Sequence, residues 1–173
     1  MWIRVISRMV MSLGIAAAMF GGAAAQTTVK IGLVMPLTGT LASAGKQVVA
    51  GARLYVAEHG NTVAGKQIEL VVKDDGTSFD TGKRLIQEAI VNHEFDVLAG
   101  GTTGDLLASA PIITDGKMPT VIMLSSTSAV IDKSSYFVRT NCTLAQSSAI
   151  VAAWAAQNGI NRVVPSSGIR FRS

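Results

Sequence analysis

Short apolar segments alternate with stretches of helical periodicity along most of this 173-residue chain. The apolar segments are rich in β-branched residues and end at proline, glycine or aspartate, which is typical of strands. They are too uniformly apolar to be exposed on one side, so each is expected to lie in a sheet that is covered on both faces. The predicted strands occupy residues 29–35, 66–73, 96–99 and 119–124.

Helices are predicted between these strands. The first ends at His59 and Gly60, the second starts at about Asp80, which is placed to cap it, and the third spans residues 105–115. Strict alternation of strands and helices favours parallel pairing, because each helix carries the chain back across the sheet. The sequence therefore predicts an α/β fold with a doubly wound, mostly parallel sheet and helices on both faces.

Beyond residue 124 the alternation becomes less regular. A short strand is predicted at residues 136–139, a helix at 143–158 and the start of another strand at 161–164. Residues 165–173 have neither an apolar period nor a turn pattern, and we expect them to form an aberrant tail. The helical side chains expected to face inward are Ile150, Val151 and Trp154.

The first 25 residues have the layout of a secretory signal peptide. Arg4 and Arg8 precede an uncharged run at residues 9–20, and the small residues Ala23 and Ala25 match the preference of the signal peptidase. We expect cleavage before Gln26. The alternative is a membrane anchor, but the run is well short of the ~20 residues that span a bilayer. The protein is therefore expected in the periplasm.

Composition narrows the possible functions. Apolar residues make up 49% of the chain and charged residues 15%, which excludes an intrinsically disordered protein. The 15 basic residues barely exceed the 11 acidic ones and form no run with interleaved aromatics, so we predict no nucleic-acid partner. Cys142 is the single cysteine, so it cannot form an internal disulfide, and it is predicted to be a small core residue.

The familiar catalytic and cofactor motifs do not fit. Gly39 and Gly45 are separated by five residues instead of the four of a phosphate-binding loop, and Gln47 replaces the serine or threonine that binds magnesium. The sequence contains no Gly-x-Ser-x-Gly elbow and no histidine pair at metal-ligand spacing. Asp74 and Asp75 leave two interpretations open, a Mg²⁺ or phosphate-accepting site and a pair that fixes a loop. We predict no cofactor.

Hydroxyl residues follow several of the predicted strands. The carboxyl ends of parallel strands are where ligands bind in such sheets, and helix N-termini there carry partial positive charge. Hydroxyl and amide donors in this position favour a small anion such as a carboxylate, although ordinary helix capping also explains any one of them. The residues concerned are Thr38, Thr102, Thr103, Ser125, Ser126 and Thr127.

Several segments, in order, resemble the leucine/isoleucine/valine-binding family of type I periplasmic binding proteins. The resemblance extends from about residue 29 to residue 164. It is carried by residues 29–39 (VKIGLVMPLTG), 42–47 (ASAGKQ), 51–54 (GARL), 73–75 (KDD), 97–100 (VLAG), 108–111 (ASAP) and 137–140 (FVRT).

The resemblance implies a receptor for an ABC importer that performs no chemistry. Two α/β lobes close on an amino acid or a related small carboxylate, and the closed form delivers it to a permease in the inner membrane. It further implies that Thr103, with Thr102 beside it, binds the ligand carboxylate. The amino and carboxylate groups of the ligand are implied to contact the segment Ser125, Ser126 and Thr127 as well. Ala44 stands where family members often have a larger residue against the ligand side chain, which implies a roomier pocket.

The resemblance also divides the chain into segments. Residues 1–25 are the signal peptide, 26–140 the N-terminal ligand-binding lobe, 141–164 the start of a second lobe and 165–173 the tail. Members of the family are about twice as long, so the sequence is expected to be a truncated copy whose affinity is millimolar or negligible. The alternatives are a catalytic or phosphotransfer doubly wound domain that uses Asp74 or Asp75, and a ligand sensor without a transporter.

Overall fold

The computed structural model describes residues 27–160 and Arg162. The predicted leader, the predicted tail and most of the strand predicted at residues 161–164 lie outside the described residues. The strands are β1 Thr28–Met35, β2 Thr62–Val63, β3 Lys66–Asp74, β4 Val97–Gly100, β5 Thr120–Ile122 and β6 Phe137–Arg139. The α-helices are α1 Ala42–His59, α2 Phe79–Val91, α3 Thr103–Asp115 and α4 Leu144–Gln157, and a 3-10 helix spans Ser128–Lys133.

The strands form one sheet in the order β2-β3-β1-β4-β5-β6. All neighbouring pairs are parallel except β2 and β3, which are antiparallel. Strand β1 lies near the middle, where Ile31 pairs with Leu70 on one side and with Val97 on the other. The doubly wound, mostly parallel sheet is therefore confirmed, and β1, β3, β4, β5 and β6 all end at the same edge.

Two apolar cores lie on opposite faces of the sheet. Val34 of β1 packs with α2 and α3, in a cluster that includes Ile86 and Leu106. Its neighbours Leu33 and Met35 pack on the other face with Val49 of α1. Because successive side chains on a strand point to opposite faces, one buried strand contributes to both cores. Helices on both faces are thus confirmed.

Three of the boundary differences from the sequence prediction have a physical cause. Helix α2 is capped by Ser78, whose hydroxyl accepts the Thr81 N–H at 3.4 Å, and not by Asp80, which lies in the first turn. Helix α3 begins at Thr103 because Thr102 caps it. Strand β5 ends at Ile122 and not at residue 124, since its partner β4 turns away at Gly100, whose φ is 102°.

Two predictions for the last third of the chain are wrong. Cys142 is exposed and is not a core residue. Ile150, Val151 and Trp154 are 72%, 64% and 58% exposed, and the buried residue of α4 is Ala155. The periodicity identified the helix but not the side that is covered. Within residues 27–160, no helix is long and apolar enough to cross a membrane.

Candidate functional site

The loops after β1 and β3 are fastened together by Asp74. Its carboxylate accepts hydrogen bonds from the backbone N–H groups of Leu37 and Gly76, both at 2.8 Å, and from the Thr38 hydroxyl at 2.8 Å. Desolvation alone would raise the pKa of Asp74, but these donated hydrogen bonds outweigh it and hold the pKa below its ordinary value. These contacts favour the loop-fixing interpretation of Asp74, and they use the hydroxyl of Thr38.

The start of α3 is built by a reciprocal cap. The backbone turns at Gly100 and Gly101, both at positive φ, so that Thr102 can precede the helix. The Thr102 hydroxyl donates to Asp105 Oδ2 at 2.7 Å, and the Thr102 N–H donates to the same oxygen at 3.0 Å. Thr102 is buried and its proton is engaged, so in the structure its contribution is to shape the helix start.

Three hydroxyl groups meet next to this helix start. The Thr103 Oγ1 lies 2.8 Å from the Ser125 Oγ and 3.2 Å from the Thr127 Oγ1. Thr103 is the first residue of α3, and the other two belong to the loop after β5, so the sheet brings together positions 22 and 24 residues apart. The first N–H groups of a helix lack intrahelical partners. The arrangement therefore offers hydroxyl and amide protons to an anion.

The loop after β5 is held by side chains from the end of β6. Arg139 Nη1 donates to the Ser125 carbonyl, and Arg139 Nη2 donates to the Thr127 carbonyl at 2.7 Å. Asn141 Nδ2 donates to the Ser125 carbonyl at 3.0 Å and contacts the Ser126 hydroxyl at 3.4 Å. Sequence reasoning did not assign Arg139 or Asn141 to the site; the available signal was a charged residue ending a strand beside a hydroxyl-rich loop.

A cavity of about 290 Å³ opens beside Thr103. Ala44 lies in its wall. The ring of Phe79 rests on Gly104, where a β-carbon would collide with it, and 57% of Phe79 is exposed. Sequence reasoning did not identify the apolar lining residues Leu41, Phe79 and Leu124. The cavity is not lined by Ser125, Ser126 or Thr127. Ser125 and Thr127 are connected to it through Thr103, whereas the Ser126 hydroxyl contacts Asn141 instead.

A larger cavity, of about 520 Å³, lies between α1 and the face of the sheet. Its walls are formed mainly by apolar side chains such as Leu33, Ile68 and Met123. It lacks the group of hydroxyls and the helix N-terminus that orient an anion. Size alone would favour this cavity, but its chemistry does not, and the smaller cavity at the strand ends is the candidate site.

Comparison with known proteins identifies the family. The sequence profile described as "Periplasmic binding protein" matches residues 28–164. The chain is 38% identical over 144 residues to Leu/Ile/Val-binding protein homolog 6 of Brucella abortus (strain 2308). That match covers 82% of this chain but 37% of the relative, so the chain spans little more than a third of the relative's length.

Solved structures of solute-binding proteins share the fold. One from Rhodopseudomonas palustris BisB5, in complex with 3,4-dihydroxybenzoic acid, is 51% identical with a TM-score of 0.74, covering 77% of this chain and 37% of that one. Another from R. palustris, in complex with 4-hydroxybenzoate, is 35% identical with a TM-score of 0.72. That match covers 76% of this chain and 36% of the R. palustris chain. A leucine-binding protein from Thermotoga maritima MSB8 is 27% identical with a TM-score of 0.68, covering 75% and 37%.

Neither acid of the Asp74–Asp75 pair favours the phosphotransfer alternative. The strand-end loops present hydroxyl and amide donors, and Asp75, the second acid of the pair, is buried and 1% exposed. The phosphotransfer alternative would require an acid that a phosphoryl donor can reach, and Asp74 is already engaged by four hydrogen bonds. By its sequence match and its fold, the chain belongs to the periplasmic binding protein family, whose members bind solutes and are not enzymes.

Proposed function

We propose that the chain forms one lobe of an exported receptor for an ABC importer and that its ligand is an aromatic carboxylate of the hydroxybenzoate class. The observation that carries this proposal is the juxtaposition of the Thr103 hydroxyl group with an apolar cavity flanked by the Phe79 ring. One end of such a ligand is a planar anion and the other a flat apolar ring. The site offers a matching surface to each end.

The carboxylate is assigned to the start of α3. The Thr103 hydroxyl, the unpaired N–H groups of the first turn and the partial positive charge of the helix all favour an anion there. Ser125 and Thr127 hold the Thr103 side chain in place. The ring is assigned to the cavity, whose apolar walls are Leu41, Phe79 and Leu124.

Two observations favour an aromatic acid over an α-amino acid. An amino acid also requires acceptors for its ammonium group, and the carbonyls of Ser125 and Thr127 already accept hydrogen bonds from Arg139. The R. palustris relatives at 51% and 35% identity were crystallised with hydroxylated benzoates. The 38% identity to a Leu/Ile/Val-binding protein homolog keeps branched-chain amino acids as the second candidate.

Export and the permease partner are part of the same proposal. The signal-peptide pattern of residues 1–25 and the family of the chain both support a periplasmic location. Partnership with an inner-membrane permease is supported by the relatives, which are solute-binding proteins of ABC transporters. A ligand sensor would share the site but would not need this partner.

The described lobe contacts a ligand from one side, which limits the affinity. Water stays in the site when no second lobe covers it, and water weakens every polar contact. We therefore propose that this chain alone binds in the millimolar range, equivalent to ~4 kcal/mol.

Titration followed by ¹H–¹⁵N NMR tests the ligand class. Adding 3,4-dihydroxybenzoate or 4-hydroxybenzoate to the purified chain should shift the amides of Thr103 and Gly104 with millimolar midpoints, while leucine should shift them less. If leucine binds more tightly at the same amides, the ligand class is the second candidate, branched-chain amino acids, and not aromatic acids. The absence of shifts with every ligand would contradict the site, and a micromolar midpoint would contradict the one-sided binding.

Substituting Thr103→Val tests the anion contact. The change keeps the shape of the side chain and removes the hydroxyl, so the affinity for 4-hydroxybenzoate should fall at least tenfold, in line with the ~1.5 to 3 kcal/mol of one hydrogen bond to a charged group. Thr103→Ser keeps the hydroxyl and should stay within about threefold of the original affinity. Equal losses for both variants would show that the hydroxyl does not contact the ligand.

A further inference from the structure

Two aspartate side chains that the proposed function does not use are buried side by side at the start of α3. Asp75 follows β3, and Asp105 lies in the first turn of α3; each is 1% exposed. Asp75 Oδ1 accepts the Thr77 N–H at 2.7 Å, and Asp105 Oδ2 accepts both the hydroxyl and the N–H of Thr102. One oxygen of each carboxyl is thus occupied by a donor.

The other two oxygens have no donor. Asp75 Oδ2 and Asp105 Oδ1 are buried, and neither has a hydrogen-bond partner as long as both carboxyls are ionised. The two side chains are within hydrogen-bonding reach and repel each other as charges. Two buried carboxylates in contact are unfavourable, whereas one proton between them converts the repulsion into a short O–H···O⁻ hydrogen bond.

We propose that Asp75 and Asp105 share one buried proton, and that this hydrogen bond positions the first turn of α3, including Thr103, against the loop after β3. Asp105 already fixes that turn through Thr102. The shared proton links this helix cap to the loop after β3, although Asp75 and Asp105 are 30 positions apart in the sequence. Both aspartates are therefore positioning residues, and neither contacts the ligand.

Among the described residues, no cation acts on the pair. The charges that act on Asp75 are those of Asp105 and of Asp74, both negative. Helix α2 faces Asp105 with Gly82, where a β-carbon would collide with the Asp105 carboxyl, while its Arg84–Glu88 ion pair lies on the exposed surface. Burial raises the pKa of Asp75 to about 6, and burial also raises the pKa of Asp105.

The proton predicts a definite pH dependence of folding. Because the pKa of Asp75 in the folded chain lies above its ordinary value of 3.8, its contribution to stability is complete below pH 4 and is lost as the pH rises through about 6. Asp75→Asn replaces the shared proton by an amide N–H that donates to Asp105 at every pH. From pH 4 to pH 7, the unfolding equilibrium constant of the original chain, relative to Asp75→Asn, should rise about 100-fold.

Urea unfolding at a series of pH values measures this ratio, and Asp115→Asn is the control. Asp115 is exposed on the same helix, so its variant should follow the original chain at every pH. If the free energy of unfolding of the original chain and that of Asp75→Asn change with pH in the same way, the proposal of a shared proton is overturned. These measurements need no ligand, so failure of the proposed function would not affect them.

A second measurement uses the unaltered chain and keeps the proposal testable if Asp75→Asn does not fold. The carboxyl carbon of Asp75, followed by ¹³C NMR, should titrate near pH 6, and the amide signals of Thr102 and Thr103 should shift with the same midpoint. A midpoint near 3.8 for Asp75 would overturn the shared proton. Titration of the carboxyl near pH 6 with no response at Thr103 would overturn its positioning role.

Discussion

Replacing Arg139 by alanine is expected to lower the free energy of unfolding by about 3 kcal/mol and to remove the ligand-induced shift of Thr103. Arg139 donates to the Ser125 and Thr127 carbonyls through its two terminal nitrogens. Hydrogen bonds to charged groups contribute about 1.5 to 3 kcal/mol each. Without Arg139 the Thr127 carbonyl keeps the Val130 N–H as a donor, at 3.3 Å. Asn141 still donates to Ser125, which keeps the expected loss below the sum of two such bonds.

The effect on binding follows from the same contacts. Ser125 and Thr127 position the Thr103 hydroxyl at 2.8 and 3.2 Å, and their own backbone is held by the Arg139 guanidinium. Without it the loop after β5 can move, and the Thr103 side chain loses its fixed orientation. A ligand that has to order the Thr103 side chain before contacting it binds more weakly, because the ordering costs conformational entropy. Urea denaturation and NMR titration of the Arg139→Ala variant measure the two effects.

Two substitutions control for charge and size. Arg139→Lys keeps the charge, but a single ammonium cannot donate in the planar, forked geometry that reaches both carbonyls, so at least half of the stability loss should remain. Arg53→Ala removes an exposed arginine from α1 and should change the free energy of unfolding by less than about 0.5 kcal/mol. Unchanged ligand binding and stability of Arg139→Lys would show that Arg139 acts as a charge only.

The sequence was sufficient for the sheet because its signals are local. Residues 29–35 are mostly apolar, with Lys30 as the one charged residue. They form β1, whose Leu33, Val34 and Met35 are fully buried. Strand β2 was missed because it has two residues, held beside β3 by the tight turn of Ala64 and Gly65 at positive φ. A two-residue strand has too few positions to show an alternating pattern.

The hydroxyl half of the site was also predictable, while its supporting groups were not. Thr103 and Ser125 follow neighbouring strands, and strand-end geometry was enough to expect them together. Arg139, Phe79 and the Asp75–Asp105 pair required contacts between segments that are distant in sequence. In the sequence, Arg139 looks like a charged residue at an exposed strand end, and Asp105 looks like an ordinary acidic residue at a helix start. The sequence alone does not show which carbonyls Arg139 reaches or that the Asp105 carboxyl is buried.

A second prediction concerns Gly32, in the central strand. Gly32 pairs with Val71 on one side and Leu98 on the other, so the strand cannot shift sideways. A β-carbon at Gly32 would collide with the ring of Phe95, which is 5% exposed. Gly32→Ala is therefore expected to lower the free energy of unfolding by about 3 kcal/mol, at the upper end of the range for overpacked cores.

Gly51→Ala is the matched control, since it adds the same methyl group elsewhere in the lobe. Gly51 lies within α1, and a β-carbon there would have nothing within 4 Å. Alanine at this helical position should raise the free energy of unfolding by about 0.5 to 1 kcal/mol, because it restricts the unfolded chain and favours the helix. The two variants should thus move in opposite directions in the same urea experiment.

Combining Gly32→Ala with Phe95→Leu separates a collision from an intrinsic requirement for glycine. If the ring is the obstacle, the smaller leucine makes room for the methyl group, and the double variant should be more stable than the sum of the single effects predicts by about 1 to 2 kcal/mol. Purely additive losses would instead show that the backbone of β1, and not the ring of Phe95, excludes a side chain at Gly32. Strand β1 leads directly into the loop that Asp74 fastens. A displacement of β1 should therefore also shift the amide signals of Leu37 and Thr38 in ¹H–¹⁵N NMR spectra of the variant.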